Sequence, residues 1–529
     1  MTLEEAVVRF NRNIKVMQYK VCILSAGLGS RIKSYPNLHK SLLPLRNRTT
    51  ISRIMDQFKD NTIVVALGYK SDQVRSYLEF MHPNRSFEFV YVDNYDKKGS
   101  GPGYSLFSCR HNLDCPFVFT SVDTLVDPLE NNLEPSYDWV GVGSPVWDFG
   151  TEYCNFSEDN GFSFGEKSNV YIGMAGVFNY ASFWDSLAKP NIVRNEHQVI
   201  DGFSALKPKM KWFDSWLDTG NKNSHDYAKN KFANTIVEEK FEEAIFIDNG
   251  RVAKFFSDAS KVDKRVERAS ILKEYVPKVV KIDDNIYGYD YIDGTLLSNV
   301  VSESEMDSFI SFLDRFMVEI DAPAGFHEDC TAMHKGKLYN RILTHPNIDL
   351  LESVKEINGI PVKPIRSLLD AINWDEICNN GIPIRFHGDL QPENILISNG
   401  NVVLLDWRDS FGKSISVGDL YYDFGKLYHA IIVNGDVIRK KHFNVLLDNE
   451  AGSVDINVRS NLMILMNKFR DFCFRKGLDW NRIVLLGILQ WINISPMHSG
   501  EYSNFLYLFG KLQLQKYLEN SYAELDRNV

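Results

Sequence analysis

HGDLQPENILISNGNVVLLDW (His387–Trp407) contains two β-rich runs, Ile395 to Ile397 and Val402 to Leu405, joined by Ser398-Asn399-Gly400-Asn401. An Asn-Gly pair between apolar runs is a strong hairpin signal. With the turn there, Asn394 enters the first strand beside the point where Asp406 leaves the second. An amide oxygen and a carboxylate then lie side by side at the open end of the hairpin, as oxygen donors for Mg²⁺. Asp389 sits five residues before Asn394, on the loop leading in.

The D-x-x-x-x-N spacing with a following strand-end aspartate matches the protein-kinase layout, in which Asp is the base and Asn plus Asp hold metal. Two triplets point away from protein kinases: His387-Gly388-Asp389 stands for H-R-D, and Asp406-Trp407-Arg408 for D-F-G. The run resembles instead the aminoglycoside phosphotransferase and choline kinase family, over about residues 235 to 500. That resemblance implies phosphorylation of a small-molecule hydroxyl by ATP, with Asp389 as base, Asn394 and Asp406 on Mg²⁺, and His387 supporting the loop. It also implies that Lys254, in VAKFF (Val252–Phe256), is the ATP lysine. Its ion-pair partner is Glu267 or Glu274 on the next helix. Glu267 is preferred, because ERASIL (Glu267–Leu272) precedes Val276-Pro277 as in the family. Phe246 to Gly250 offers no glycine-rich phosphate loop, and Asp419 and Asp423 are expected to brace the helical lobe.

The first half carries a different signature. Lys20 to Ser25 is a short apolar run, a buried strand, and it ends in LSAGLGSRI (Leu24–Ile32). Glycines let backbone N–H groups approach a polyphosphate, and Arg31 adds a charged fork. The P-loop and dinucleotide patterns both fail at Ile32. Asp123, in SVDTLV, follows the Phe117–Thr120 strand, at the strand end where open α/β sheets bind ligands. Asp218 lies in WLDTG (Trp216–Gly220), and the two aspartates are candidate Mg²⁺ ligands.

Together these residues resemble the nucleoside-diphosphate-sugar pyrophosphorylase and cytidylyltransferase family, including bacterial phosphocholine cytidylyltransferases. The resemblance covers about residues 19 to 232 and keeps the family's order: AGLGSR, His39-Lys40, the glycine segment Gly99–Leu106, Asp123, Glu166-Lys167, Ala175–Phe178 and Trp216–Gly220. It implies that Gly27, Gly29, Ser30 and Gly101 contact the nucleotide, and that Arg31 and Lys40 neutralise the β/γ phosphates and leaving pyrophosphate. It further implies that Asp123 and Asp218 hold Mg²⁺, that Lys167 holds the acceptor phosphate, and that Tyr104 faces the substrate. The sequence departs from the pattern at His39, where proline is usual, and at Pro102 and Tyr104, which replace a simple G-T-A.

The chain of 529 residues is too long for one core. Its net charge of −10 argues against a nucleic-acid partner. Seven scattered cysteines without a C-x-x-C pair fit a reducing compartment. The start MTLEEAVVRF lacks a signal pattern, and the apolar stretch Ile483 to Ile494 is too short to span a bilayer. A cytoplasmic protein with no membrane insertion is expected; the oligomeric state is not legible.

The fold expectation is α/β. Residues 1–18 are an extension and 19–232 a Rossmann-like nucleotidyltransferase domain with a mostly parallel sheet. Residues 233–529 are a two-lobed, kinase-like (α+β) phosphotransferase domain. Ile51, Ile54, Met55 and Phe58 predict a helix, Ser71 a helix cap, and Ser302 with Glu305 a capping box. Ala244–Ile247 and Val252–Phe256 predict a hairpin. The functional expectation is a bifunctional enzyme. It phosphorylates a small alcohol, then joins the product to a nucleotide, with CTP favoured, for bacterial surface-glycan (capsule or lipopolysaccharide) precursors. UTP or GTP with a sugar phosphate, or one non-catalytic half, are the alternatives. The acceptor is open among choline, an amino alcohol, a polyol and a sugar. Tyr104, Trp147, Tyr171, Trp212 and Trp216 either cage a quaternary amine or pack a core.

Overall fold

A computed structural model describes residues 18–29, 34–58, 60–127, 132–145, 153–165, 169–189, 192–193, 196–232 and 242–519. The chain divides into two compact units. One runs to Val262 and includes Val280–Tyr291; the other comprises Asp263–Val279 and the chain from Ile292.

The first unit is built on β1 (Lys20–Ser25), β2 (Ile63–Leu67), β3 (Phe87–Tyr91) and β4 (Phe117–Ser121). These are parallel, in the order β4-β1-β2-β3, with Val21 opposite Ile63 and Lys20 opposite Phe117. β1 and β2 are almost wholly buried, because a parallel sheet is covered on both faces. Alternation sends Val21, Ile23, Ile63 and Val65 into one apolar cluster and Cys22, Leu24, Val64 and Ala66 into another. The short β5 (Thr124–Leu125) follows β4. Antiparallel strands extend the sheet to nine: β6 (Trp139–Gly143), β7 (Cys154–Ser157), β8 (Gly161–Phe164) and β9 (Val170–Val177), with β10 (Lys209–Trp212) parallel to β6. The mostly parallel core matches the expectation. β11 (Leu217–Asp218) returns antiparallel to β5.

Helix α1 (Thr50–Met55) and the 3₁₀ turn after it bury Ile51, Ile54, Met55 and Phe58. Helix α2 (Ser71–Met81) buries Val74 and Leu78, but Ser71 is its first residue; Lys70, at φ 47°, occupies the cap position. The polar stretch after Asn221 is helix α3 (Lys222–Lys231).

The expected hairpin is present as β12 (Glu243–Asp248) and β13 (Arg251–Phe256), turning at Asn249 (φ 47°) and Gly250 (φ 70°). It joins β14 (Val280–Asp283) and β15 (Ile286–Asp290) in a four-stranded sheet of order β12-β13-β15-β14. This sheet shares a core with the large sheet: Phe246, Ala253, Phe255 and Ile286 belong to the same cluster as Val21 and Tyr77. The rings of Tyr77 and Phe246 meet edge-on at 5.5 Å. Arg48 pairs with Asp248 at 2.7 Å, and Gln73 donates to Asp283 at 2.6 Å.

Helix α4 (Ala259–Leu272) passes from the first unit into the second at Val262. The second unit is mainly helical: α5 (Glu303–Phe316), α6 (Lys337–Ile342), α7 (Leu420–Ile432), α8 (Ser460–Arg475), α9 (Trp480–Ile494) and α10 (Gly500–Leu518). The apolar stripe of α5 is buried, but the Ser302 side chain makes no cap bond; its hydroxyl pairs with that of Ser304 at 2.8 Å, so the capping box does not form. The decisive hairpin is β16 (Ile395–Ser398) and β17 (Asn401–Leu404), in register from Ile395↔Leu404 to Ser398↔Asn401. Asn399 (φ 49°) and Gly400 (φ 77°) form its tight turn. Among the described residues no helix is long and apolar enough to cross a membrane, and all seven cysteines are free.

Candidate functional sites

The first site lies at the carboxyl end of β1, where Ser25 opens into Ala26-Gly27-Leu28-Gly29. Gly29 has φ 65°, and a Cβ there would sit 2.8 Å from Lys40 Cβ, so the loop lies directly on the lysine. Lys40 Nζ is 3.7 Å from Asp123 Oδ2. His39 is fully buried; its Nδ1 accepts from Ser41 N–H at 3.1 Å, and its own N–H donates to Gln73. The imidazole thus starts the 3₁₀ turn that carries Lys40, a local reason for histidine in place of proline. Burial, then the nearby Lys40, lowers its pKa to about 3, so the ring is neutral.

Asp123 and Asp218 are brought together by the β5–β11 pairing, with Asp218 opposite Thr124 and Thr219 N–H donating to the Asp123 carbonyl at 2.8 Å. A methyl group added at Gly220 would lie 3.0 Å from Asp218 Oδ1 and 3.2 Å from Asp123 Oδ2, so both carboxylates converge on that glycine. Tyr153 donates to the other Asp218 oxygen at 3.0 Å, and Ser121 donates to Asp123. Two hard carboxylates beside a lysine fit a divalent cation with several oxygen ligands.

These residues open on a cleft of ≈ 750 Å³ lined by Gly27, Gly29, Lys40, Gly101, Asp123 and Gly220. Lys97 and Lys98 also line it, and sequence reasoning did not single them out. Tyr104 packs half-buried on the second apolar cluster and is not among the lining residues. Tyr171 and Trp216 are buried in separate clusters or their margins, and Trp212 is exposed, donating to Asp214. Ser30, Arg31, Trp147 and Lys167 lie outside the described residues.

The second site forms at the mouth of the β16–β17 hairpin. Leu405 N–H donates to the Asn394 carbonyl at 2.7 Å, which sets Asn394 beside Asp406 as the spacing predicts. Asn394 Nδ2 donates to the Asp389 carbonyl at 2.9 Å and to Asp389 Oδ2 at 3.2 Å, so its Oδ1 is the end available to a cation. Asp389 Oδ1 receives Lys426 Nζ at 3.1 Å and Gln391 Nε2 at 2.8 Å. Burial raises the Asp389 carboxyl, but Lys426 and the Gln391 hydrogen bond outweigh it and hold the group well below the usual carboxylate range. Asp406, at φ 54°, accepts from Arg265 Nη1 at 2.7 Å.

The loop is held from behind. His387 Nδ1 accepts from Asp389 N–H at 3.2 Å, so Nε2 donates to the Leu405 carbonyl at 2.9 Å; burial lowers this ring to about 4. Asp423 accepts from both His387 N–H and Gly388 N–H at 2.6 Å. Gly388 has φ 89°, and a Cβ there would come within 2.5 Å of Arg408 Cβ. Asp419 caps α7 and receives His334 Nε2 at 2.9 Å. Both aspartates brace the lobe, as expected. Cys330 stands near this pair, but Arg482 is 3.7 Å from the same Asp419 oxygen, so a guanidinium already supplies the positive charge. Lys254 is buried on β13, whereas Glu267 lies on the exposed face of α4, whose inward face carries Arg265 and Arg268.

Lys426, Arg265 and Gln391 were missed in the sequence. Lys426 left one signal: it is a lysine in LYYDFGKLYHAII, a helix whose every residue is buried.

No family model matches the chain, and no curated protein matches it. Solved structures align with it over about two fifths of its length, on the N-terminal side. CTP:phosphocholine cytidylyltransferase from Streptococcus pneumoniae is 17% identical, covering 41% of this chain and 99% of that one, with a TM-score of 0.34. The inositol-1-phosphate CTP transferase from T. maritima is 14% identical over 42% and 98% (TM-score 0.31). HddC from Yersinia pseudotuberculosis is 20% identical over 41% and 100% (TM-score 0.33).

Proposed function

We propose that the chain is a bifunctional transferase. Its second unit moves the γ-phosphoryl group of ATP to a small alcohol, and its first unit joins the phosphorylated product to a nucleotide, with CTP the favoured donor. The observation that supports this reading is the presence of two separate carboxylate-and-lysine centres, Asp123/Asp218 with Lys40 and Asp389/Asn394/Asp406 with Lys426. In the first, the acceptor phosphate attacks the α-phosphorus and pyrophosphate leaves; positioning and charge neutralisation by Lys40 and the glycine loop suffice, without a protein nucleophile. In the second, Asp389 takes the hydroxyl proton. Mg²⁺ would be held by Asp123 and Asp218 in one centre and by Asn394 and Asp406 in the other, where it would neutralise phosphate charge.

The two activities should separate by mutation. Asp389→Ala is expected to lower alcohol-dependent ADP formation by about 10²–10⁴-fold while pyrophosphate release from a pre-phosphorylated acceptor persists. Asp123→Ala should do the reverse. Assaying both variants with each of the four nucleoside triphosphates also identifies the base. If both activities survive both changes, the assignment is wrong.

A further inference from the structure

We propose that the alcohol phosphorylated beside Asp389 bears a negative charge of its own, a carboxylate or a phosphate, seated among Lys337, Arg341, Arg408 and Lys426. This rests on the phosphotransferase reading of Asp389 and narrows its acceptor.

Two helices supply three of the four cations. Lys337 and Arg341 stand one turn apart on α6, and Tyr422 and Lys426 one turn apart on α7. Lys337 Nζ donates to the Tyr422 hydroxyl at 2.9 Å, which links the two stripes. Tyr422 and Lys426 are buried, and Lys426 reaches Asp389 Oδ1 at 3.1 Å. Arg408, two residues past Asp406, is fixed by its Nε on the Ser410 carbonyl at 3.1 Å. Asp389 thus has two differently occupied sides: Oδ2 accepts from the Asn394 amide, and Oδ1 from Lys426 and Gln391. Lys426 thus joins the oxygen of Asp389 that the Asn394 amide leaves alone to the cluster around Tyr422.

Charge does not balance there. Among the described residues Lys426 pairs with Asp389, while Lys337, Arg341 and Arg408 have no carboxylate within ion-pair distance. Partly buried cations without counter-charge are costly, and an anionic ligand relieves that cost. The titration of neighbouring groups agrees. Burial lowers Lys337 to about 8. Burial raises the Tyr422 phenol, but Lys337, Arg408 and Lys426 outweigh it and bring the group to about 8. A quaternary amine would meet repulsion from each of the four cations.

In the transfer, the acceptor oxygen bonds to the γ-phosphorus of ATP. The bond from that phosphorus to the β,γ-bridging oxygen breaks, its electron pair leaves with ADP, and the hydroxyl proton passes to Asp389.

Two matched series test the proposal by ADP release from the full chain: glycerol, glycerate, glycerol 3-phosphate and choline; and glucose, glucuronate and glucose 6-phosphate. At least one anionic member should exceed its neutral parent in kcat/KM by about tenfold or more, and the preferred member tells carboxylate from phosphate. Lys337→Met should raise the KM for that acceptor about tenfold with a smaller change in kcat, and Lys337→Arg should restore most of it. Preference for glycerol, glucose or choline overturns the anionic acceptor while leaving the phosphotransferase reading intact. So does a Lys337→Met effect confined to the KM for ATP. Absence of ADP release with every alcohol overturns both.

Discussion

Lys426 is the charged partner of Asp389. A carboxyl in that position would rise in pKa through burial; the ammonium 3.1 Å away, together with the Gln391 hydrogen bond, reverses the direction. On the proposed phosphotransferase reading Asp389 is the base and must be unprotonated to accept the hydroxyl proton, so Lys426→Met should carry the acid limb of the pH–rate profile upward by a unit or more and lower kcat at pH 6 more than at pH 8. A profile that keeps its acid limb would show that Lys426 does not tune the base. The residues named from sequence at this site, Asp389, Asn394 and Asp406, were legible because a hairpin with a two-residue turn fixes which residues meet at its mouth. Lys426 and Arg265 were not, because each reaches the site from a helix far away in the chain, and local spacing carries no trace of that meeting.

At the scale of elements, Asp423 bolts the start of α7 to the His387–Gly388 backbone through two hydrogen bonds of 2.6 Å. Asp423→Ala leaves two buried N–H groups without an acceptor, at about 1–3 kcal/mol each. Thermal unfolding of the second unit should shift down accordingly, and alcohol-dependent ADP formation should fall with it. A variant with unchanged unfolding would separate this contact from stability. Strands were read well: β1 and β13 begin and end close to where their apolar runs do. Helix caps were read poorly. Ser71 and Ser302 are good cap types in good places, yet Lys70 takes the first position and Ser302 bonds a neighbouring hydroxyl instead. Cap geometry depends on how the chain arrives at the helix, which tertiary contacts decide.

At the scale of the molecule, the sequence motifs and the compact units divide the chain differently. The parallel sheet with its strand-end site was legible, because buried parallel strands read as unbroken apolar runs. The placement of the four-stranded sheet was not, since Phe246, Phe255 and Ile286 look like the core of any small sheet. They complete the cluster around Val21 and Tyr77. A chain ended at Phe232 loses this cover, at roughly 1.5–3 kcal/mol per large side chain exposed. It should unfold at a lower temperature than a chain ended at Tyr291 and bind an apolar dye that the longer one excludes. Equal melting temperatures would deny the shared core any role in stability.

That shared core also imposes an order on synthesis. The residues lining the first-unit cleft are all translated by Gly220, yet the last strand of the sheet that completes its core ends at Asp290. At about 5–20 residues per second, the ribosome needs several more seconds to supply it. During that interval the apolar cluster around Tyr77 lacks Ile286, and the first unit completes its core only with residues that come after its cleft.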